Sequence, residues 1–184
     1  ALGATEGFKW GAVSGAVIGG GNEAFLLKSA TKSGLTMNEV ALIQKESNLP
    51  MDVISQFHSM KEYLVYKEAG LKPVIVNGRV ALVQDIDLDY VSELSDGTKV
   101  TNLERMQRGF APIEPATGKA YELHHIGQKA DGTLAVLTRD QHRKNASILN
   151  QPGKASEIDR LGFGNTRKDF WEYAGTYVFG NGGV

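Results

Sequence analysis

The pattern of polar and apolar positions changes period near residue 70. Before it, polar start signals precede apolar runs. Thr36-Met-Asn-Glu39 has the Thr-x-x-Glu form of a capping box, Pro50 begins a second short helix, and Ser59-Met-Lys-Glu62 opens a third that Gly70 can end. After it, the period is two. "PVIV" and "RVALVQ" flank Asn77-Gly78, a pair that supplies the positive φ angles of a type I′ turn, so a β-hairpin is predicted. "DIDLDYV" also alternates, and is expected to form a strand with Asp85, Asp87 and Asp89 on one face, where a solvated edge that resists strand addition is favoured over a metal site. "TNLERMQRG" repeats the helix grammar, with Thr101 to Glu104 as a capping box and Gly109 as the stop. "APIEPATGK" then reads as a turn, "AYELHH" as a strand, "IGQKADG" as a loop and "TLAVLT" as a second strand. A short helix from Thr138-Arg-Asp-Gln141 follows, and two closing helices are expected, from Ser156-Glu-Ile-Asp159 and from Asn165, with Phe170, Trp171 and Tyr177 in the core. The opening is different in kind: residues 1–35 are rich in Gly and Ala, with Gly11, Gly15 and Gly19 spaced by four, and read as a marginally helical connector.

Composition narrows the chemistry. The 184 residues suffice for one ordinary domain, or one compact domain with an appendage. There is no cysteine, which excludes thiol nucleophiles, disulfides, iron–sulfur clusters and Cys-ligated zinc, and leaves His, Asp, Glu and Asn as the metal-ligating types. No run of about twenty apolar residues occurs, so stable membrane insertion is not expected. The first residues lack the charged and apolar regions of a signal peptide, and the chain reads as a piece of a larger polypeptide. Residues 1–100 hold nine Lys/Arg against twelve Asp/Glu, and residues 101–184 hold eleven against nine. The basic excess is small and falls in the half with most of the histidines.

Of four histidines, two are adjacent, His124 and His125, at the end of a predicted strand. A strand, loop, strand, helix unit returns its first strand end to its helix start. His124, His125 and His142 are thereby candidates to converge, and imidazoles so placed suit zinc, nickel and related cations. The plainer reading is that histidines are simply tolerated at such positions. His58 lies just before the third helix, where a cap-flanking or core role is expected.

The run "YELHHIGQKADGTLAVLTRDQH" resembles the core of HNH, or ββα-metal, nucleases, and Leu123-His124-His125 resembles the LHH branch found at the C-terminal tips of bacterial polymorphic toxins. "TNLERMQRGFAPI", "YELHHIGQ", the "H…N…LN" run, "SEIDR" and "RKDFW" follow in the order of LHH toxin domains across residues 101–173. "GFKWGAVSGAV" resembles the glycine-rich stretch that precedes such tips. The resemblance implies an α+β fold: a ββα-metal nuclease core with flanking helices and an N-terminal helical and β-hairpin region. Residues 1–35 would be the connector, 36–100 the N-terminal region and 101–184 the nuclease domain.

The resemblance also implies roles. His124 becomes a metal ligand, His125 the general base that activates water, and, by similarity to colicin-type DNases, His142 the second ligand. Thr133 stands where those nucleases have an Asn that orients the base, and Ala146 where they have a further helical histidine. Asn145, three residues after His142, and Asn150, at the place of the LHH relatives' histidine, are the alternatives for a third ligand; either amide can instead cap a helix. The cofactor implied is one divalent ion, magnesium, manganese, nickel or zinc. Arg143, Lys144, Arg139, Lys129 and Arg167 are the candidate phosphate contacts. The function implied is a metal-dependent endonuclease, a DNase, as the toxin domain of a secreted or contact-delivered antibacterial effector. Such a domain would act in the target-cell cytoplasm and be blocked by a cognate immunity protein. An RNase on the same scaffold and a catalytically weak, metal-stabilised binding module are the alternatives.

Overall fold

A computed structural model describes residues 34–159 and 162–180. The glycine stripe at Gly11, Gly15 and Gly19 lies outside them. Three helices open the described chain: α1 (Met37–Ser47), α2 (Met51–Ile54) and α3 (Met60–Glu68). Thr36 closes its capping box with Glu39 in both directions, a device worth about 1 kcal/mol. Ser59 accepts from the Glu62 amide, but Glu62 does not return the bond. Its carboxylate is fully buried and is taken by the His58 backbone N–H and Nδ1, both at 2.7 Å, and by the Tyr66 hydroxyl at 2.8 Å. A buried carboxylate without such partners would cost several kcal/mol.

The hairpin forms as predicted: β1 (Lys72–Val76) and β2 (Arg79–Val83) join through Asn77 at φ 49° and Gly78 at φ 74°. Next come β3 (Val91–Glu93), β4 (Lys99–Thr101) and α4 (Asn102–Gln107), then the small hairpin β5 (Ile113–Glu114) and β6 (Lys119–Ala120). The nuclease-like unit is β7 (Glu122–His125), a 3-10 turn (Ile126–Gln128), β8 (Leu134–Leu137), α5 (Arg139–Lys144) and α6 (Ala146–Leu149). Helix α7 (Phe163–Tyr173) runs into a π-helical turn (Ala174–Val178).

The four-stranded sheet has the order β1-β2-β8-β7, with β2 parallel to β8 and the other pairs antiparallel. The N-terminal hairpin is therefore in one sheet with β8 and the histidine-bearing β7. Alternation of side chains divides its two faces. Leu82, Ala135 and Leu137 pack with Val40, Ile43, Phe57 and Tyr66 of the N-terminal helical segment and with Leu149 of α6. Ala81, Val83, Leu123 and Val136 pack on the other face with Met106 of α4 and Phe170 and Trp171 of α7. At Gly175 a Cβ would stand 2.6 Å from the Gln107 nitrogen and from the Met106 Cβ, so only glycine lets the π-helical turn approach α4 this closely.

Three expectations need correction. The "DIDLDYV" stretch forms a strand only from Val91, because Asp87 Oδ1 accepts the N–H groups of Asp89 and Tyr90, both at 3.1 Å, and turns the backbone away from a ladder. Ser156 to Asp159 is not helical: Ser156 Oγ accepts the Ile158 N–H at 3.3 Å in a local turn, and the Glu157 N–H ties the segment to the Gln128 carbonyl at 3.1 Å. Tyr177 is 60% exposed and leans on Tyr173, whereas Phe170 and Trp171 are in the core.

Candidate active site

Alternation along β7 sets the site. Glu122 and His124 share the face covered by α3 and α6, and Leu123 and His125 share the opposite one. Thr138 closes a capping box with Gln141, which starts α5 immediately after β8 and sets His142 in its first turns. The rings of His124 and His142 lie 5.1 Å apart, centroid to centroid, at 61°. Two imidazoles on one tetrahedral cation, with metal–nitrogen bonds of about 2.0–2.1 Å, carry centroids roughly 5 Å apart.

The hydrogen bonds fix which nitrogens are available. His142 Nδ1 is engaged by Glu122 Oε2 at 2.7 Å, which orients the ring and keeps Nε2 out of that bond. His124 is 5% exposed, and its buried Nε2 has no hydrogen-bond partner. An orphaned buried imidazole nitrogen is costly unless a ligand meets it. These two residues fit half the coordination sphere of a divalent cation. Among the described residues, no cluster of three or more His, Asp or Glu side chains supplies a full cage.

Both alternatives for a third ligand serve their helices. Asn145 ends α5 and donates its Nδ2 to the Gln141 carbonyl at 2.9 Å, so it does not continue the helix of His142. Asn150 is exposed, ends α6, and donates to the Ala146 carbonyl at 2.8 Å. Each keeps an amide oxygen outside those bonds.

Burial, then the positive charge that His142, His125 and His58 can carry, pushes the His124 pKa down to about 3. That neutral state is the one a metal needs. It also makes stability pH-dependent. Between an ordinary histidine pKa of about 6.5 and the depressed value, the unfolded chain binds a proton that the folded chain refuses, so stability falls as pH falls through this window. His58 acts with the opposite sign: its bond to Glu62 raises its pKa, against an opposing effect of burial, and the resulting stability is present at low pH and lost as pH rises through the raised value. In chelator, acidification from pH 6.5 to 5 is expected to cost about 2 kcal/mol through His124. Denaturant melts of wild type and His124→Gln check this; equal slopes of stability against pH would contradict it.

His125 faces the other side. It is 5% exposed, packs against Phe163 with ring centroids 4.7 Å apart and planes tilted by 58°, and borders a cavity of about 190 Å³ between the β1–β2 turn and α7. Burial first, then the Arg79 guanidinium, lowers its pKa, so the ring is neutral and able to accept a proton at pH 7. Because β7 is the sheet's edge strand, no further strand separates the two faces beside the pair.

The loop after His125 is tightly held. Thr133 donates its N–H to Gln56 Oε1 at 2.8 Å and accepts from Gln56 Nε2 at 3.0 Å, so a residue just after α2 holds the position where the colicin-type pattern has Asn. Gln128 is buried, at φ 56°, and bonds to the Gln151 N–H and the Lys154 carbonyl. The basic candidates are dispersed. Arg143 and Lys144 border an exposed groove between α5 and α3, Arg139 lies 3.9 Å from Glu122, Lys129 is exposed in the loop, and Arg167 covers the Phe163 ring at 5.6 Å. Sequence reasoning missed Glu122, Gln56 and Arg79. Only Glu122 had a signal, its two-residue spacing from His124.

Residues 101–175 match the model of the LHH family, described as a nuclease of the HNH/ENDO VII superfamily with conserved LHH. That segment is an LHH nuclease domain, and the mixed helices and small sheets around it agree with the α+β expectation. No curated protein and no solved structure matches the chain.

Proposed function

We propose that the chain is a metal-dependent DNA endonuclease in which His124 and His142 hold one divalent cation and His125 is the general base. The observation that carries this reading is the unpartnered, buried Nε2 of His124, 5.1 Å ring to ring from a histidine whose other nitrogen is already fixed by Glu122. When bound, the cation supplies Lewis-acid stabilisation of the negative charge on the phosphate and the leaving oxygen.

The protein's own residues do the rest. Glu122 holds His142 in one tautomer, the surrounding core keeps His124 neutral, and the Gln56–Thr133 pair fixes the loop between β7 and β8. His125, neutral and facing the cavity, takes a proton from the attacking water. Among the described residues no helix is long and apolar enough to cross a membrane.

The resemblance of the ordered motifs to polymorphic-toxin tips supports a role as the toxin domain of a secreted or contact-delivered antibacterial effector, acting in the target-cell cytoplasm with an immunity protein as its partner. Plasmid DNA and a structured RNA are incubated with the protein and magnesium, manganese, nickel or zinc, with a chelator control. Metal-stimulated nicking of the plasmid is expected. Cutting of RNA alone would move the substrate to RNA, and no cutting of either with any metal would sink the enzyme reading. Induced expression in bacterial cytoplasm is expected to stop growth with wild type and not with His125→Ala.

A further inference from the structure

The cavity beside His125 is walled on one side by residues that precede the LHH segment. Arg79 is the first residue of β2, paired across the hairpin turn with Val76, and both it and Asn77 reach the cavity wall. The Arg79 guanidinium is braced by donating to the Asp131 carbonyl in the loop before β8. Among the described residues, no carboxylate lies within ion-pair distance of it. Of five N–H donors in a planar fork, most are therefore available to an anion, and the fork matches two oxygens of a phosphate. Thr166 and Asp169 of α7 form the opposite wall. The pocket thus brings together a braced, unneutralised guanidinium, an amide, a hydroxyl and the imidazole of His125 in about 190 Å³.

We propose that this cavity is a backbone-phosphate subsite for the nucleic-acid strand, with Arg79 as its anchor and Asn77 and Thr166 as supporting donors. The inference rests on the reading of His125 as the base of a nuclease, and extends it by naming a substrate contact on the N-terminal hairpin. Arg79 would hold a phosphate of the strand near the attacking water. The hairpin is then part of the substrate site as well as of the sheet. Asp169 gives the proposal a sign test, because its carboxylate on the same wall opposes a bound phosphate.

The experiment measures binding without turnover. Fluorescence anisotropy follows a labelled DNA duplex, and in parallel a labelled RNA hairpin, titrated with full-length protein in chelator over a range of NaCl. The proteins are wild type, Arg79→Gln, Arg79→Lys, Asp169→Asn and a charge-matched control, Lys45→Gln on α1. Arg79→Gln is expected to weaken binding by about five- to tenfold and to reduce the salt slope by about one. Asp169→Asn is expected to tighten binding, and Arg79→Lys to fall between wild type and Arg79→Gln. Binding by Arg79→Gln equal to that of Lys45→Gln, or no binding by wild type to either probe, would overturn the subsite. Cleavage by wild type with metal is scored separately, so a failure of the nuclease reading shows as binding without cutting.

Discussion

His125→Ala is expected to lower metal-stimulated cleavage by about 10²–10⁴-fold, the range lost when a positioned general base is removed. Metal affinity should stay within about twofold of wild type. The reason for the separation is the period of the strand: His125 projects into the cavity beside Phe163, while the proposed ligands His124 and His142 meet on the other face. Burial and Arg79 both hold the His125 ring neutral, so the acid limb of the cleavage profile is expected below the ordinary histidine pKa of about 6.5. Removing a base should therefore change rate without changing cation binding. Plasmid nicking rates and calorimetric metal titrations on the same two proteins check both halves. Equal cutting by wild type and His125→Ala would remove the base assignment, and a lost metal site would place His125 among the ligands instead.

The second large effect concerns the chain before the LHH segment. A fragment of residues 101–184 is expected to show no cooperative unfolding transition. It would lose β2, the parallel partner of β8, whose Ala81 and Leu82 sit opposite Leu134 and Ala135. It would also lose α1, α2 and α3, leaving Ile126, Ala135, Leu137 and Leu149 without the side chains that cover them. Val40, Ile43, Val53, Ile54, Phe57 and Tyr66 are each 2% exposed or less. At about 1.5–3 kcal/mol for each apolar side chain uncovered, exposure of the fully buried Ile126, Leu137 and Leu149 alone approaches the ~5–15 kcal/mol that holds a domain together. The Gln56 clamp on Thr133 would go as well. Thermal melts of the fragment beside the full chain test this. A sharp transition within a few degrees of the full-length value would show residues 101–184 to be a separable unit.

Local grammar accounts for what the sequence revealed. Capping boxes at Thr36, Thr101 and Thr138 marked three helix starts, Asn77-Gly78 marked the hairpin, and Leu123-His124-His125 marked the nuclease strand. Each is written within a few consecutive residues. The pairing of β2 with β8 joins residues more than fifty positions apart and has no local signature, so the union of hairpin and nuclease sheet was not legible. The same holds for Arg79 beside His125 and Gln56 beside Thr133, which are brought together only by that sheet and by the turn after α2. Where local grammar misled, a side chain or a distant backbone group outcompeted it. Asp87 captured two amides of an expected strand, and where a helix was expected Ser156 turned onto the Ile158 N–H while the Glu157 N–H was tied to the distant Gln128 carbonyl. His58 was read as a cap-flanking or core residue, and its bond to the buried Glu62 explains its position; its electrostatic effect on His124 was not foreseeable from spacing.

The proposal that one cation is shared by a strand histidine and a helix histidine is tested most directly by anomalous scattering from crystals soaked in nickel or manganese. A single strong peak is expected within about 2.0–2.2 Å of Nε2 of both His124 and His142. A peak bound by only one of these rings, or a metal held elsewhere with the His124 nitrogen still unpartnered, would contradict it.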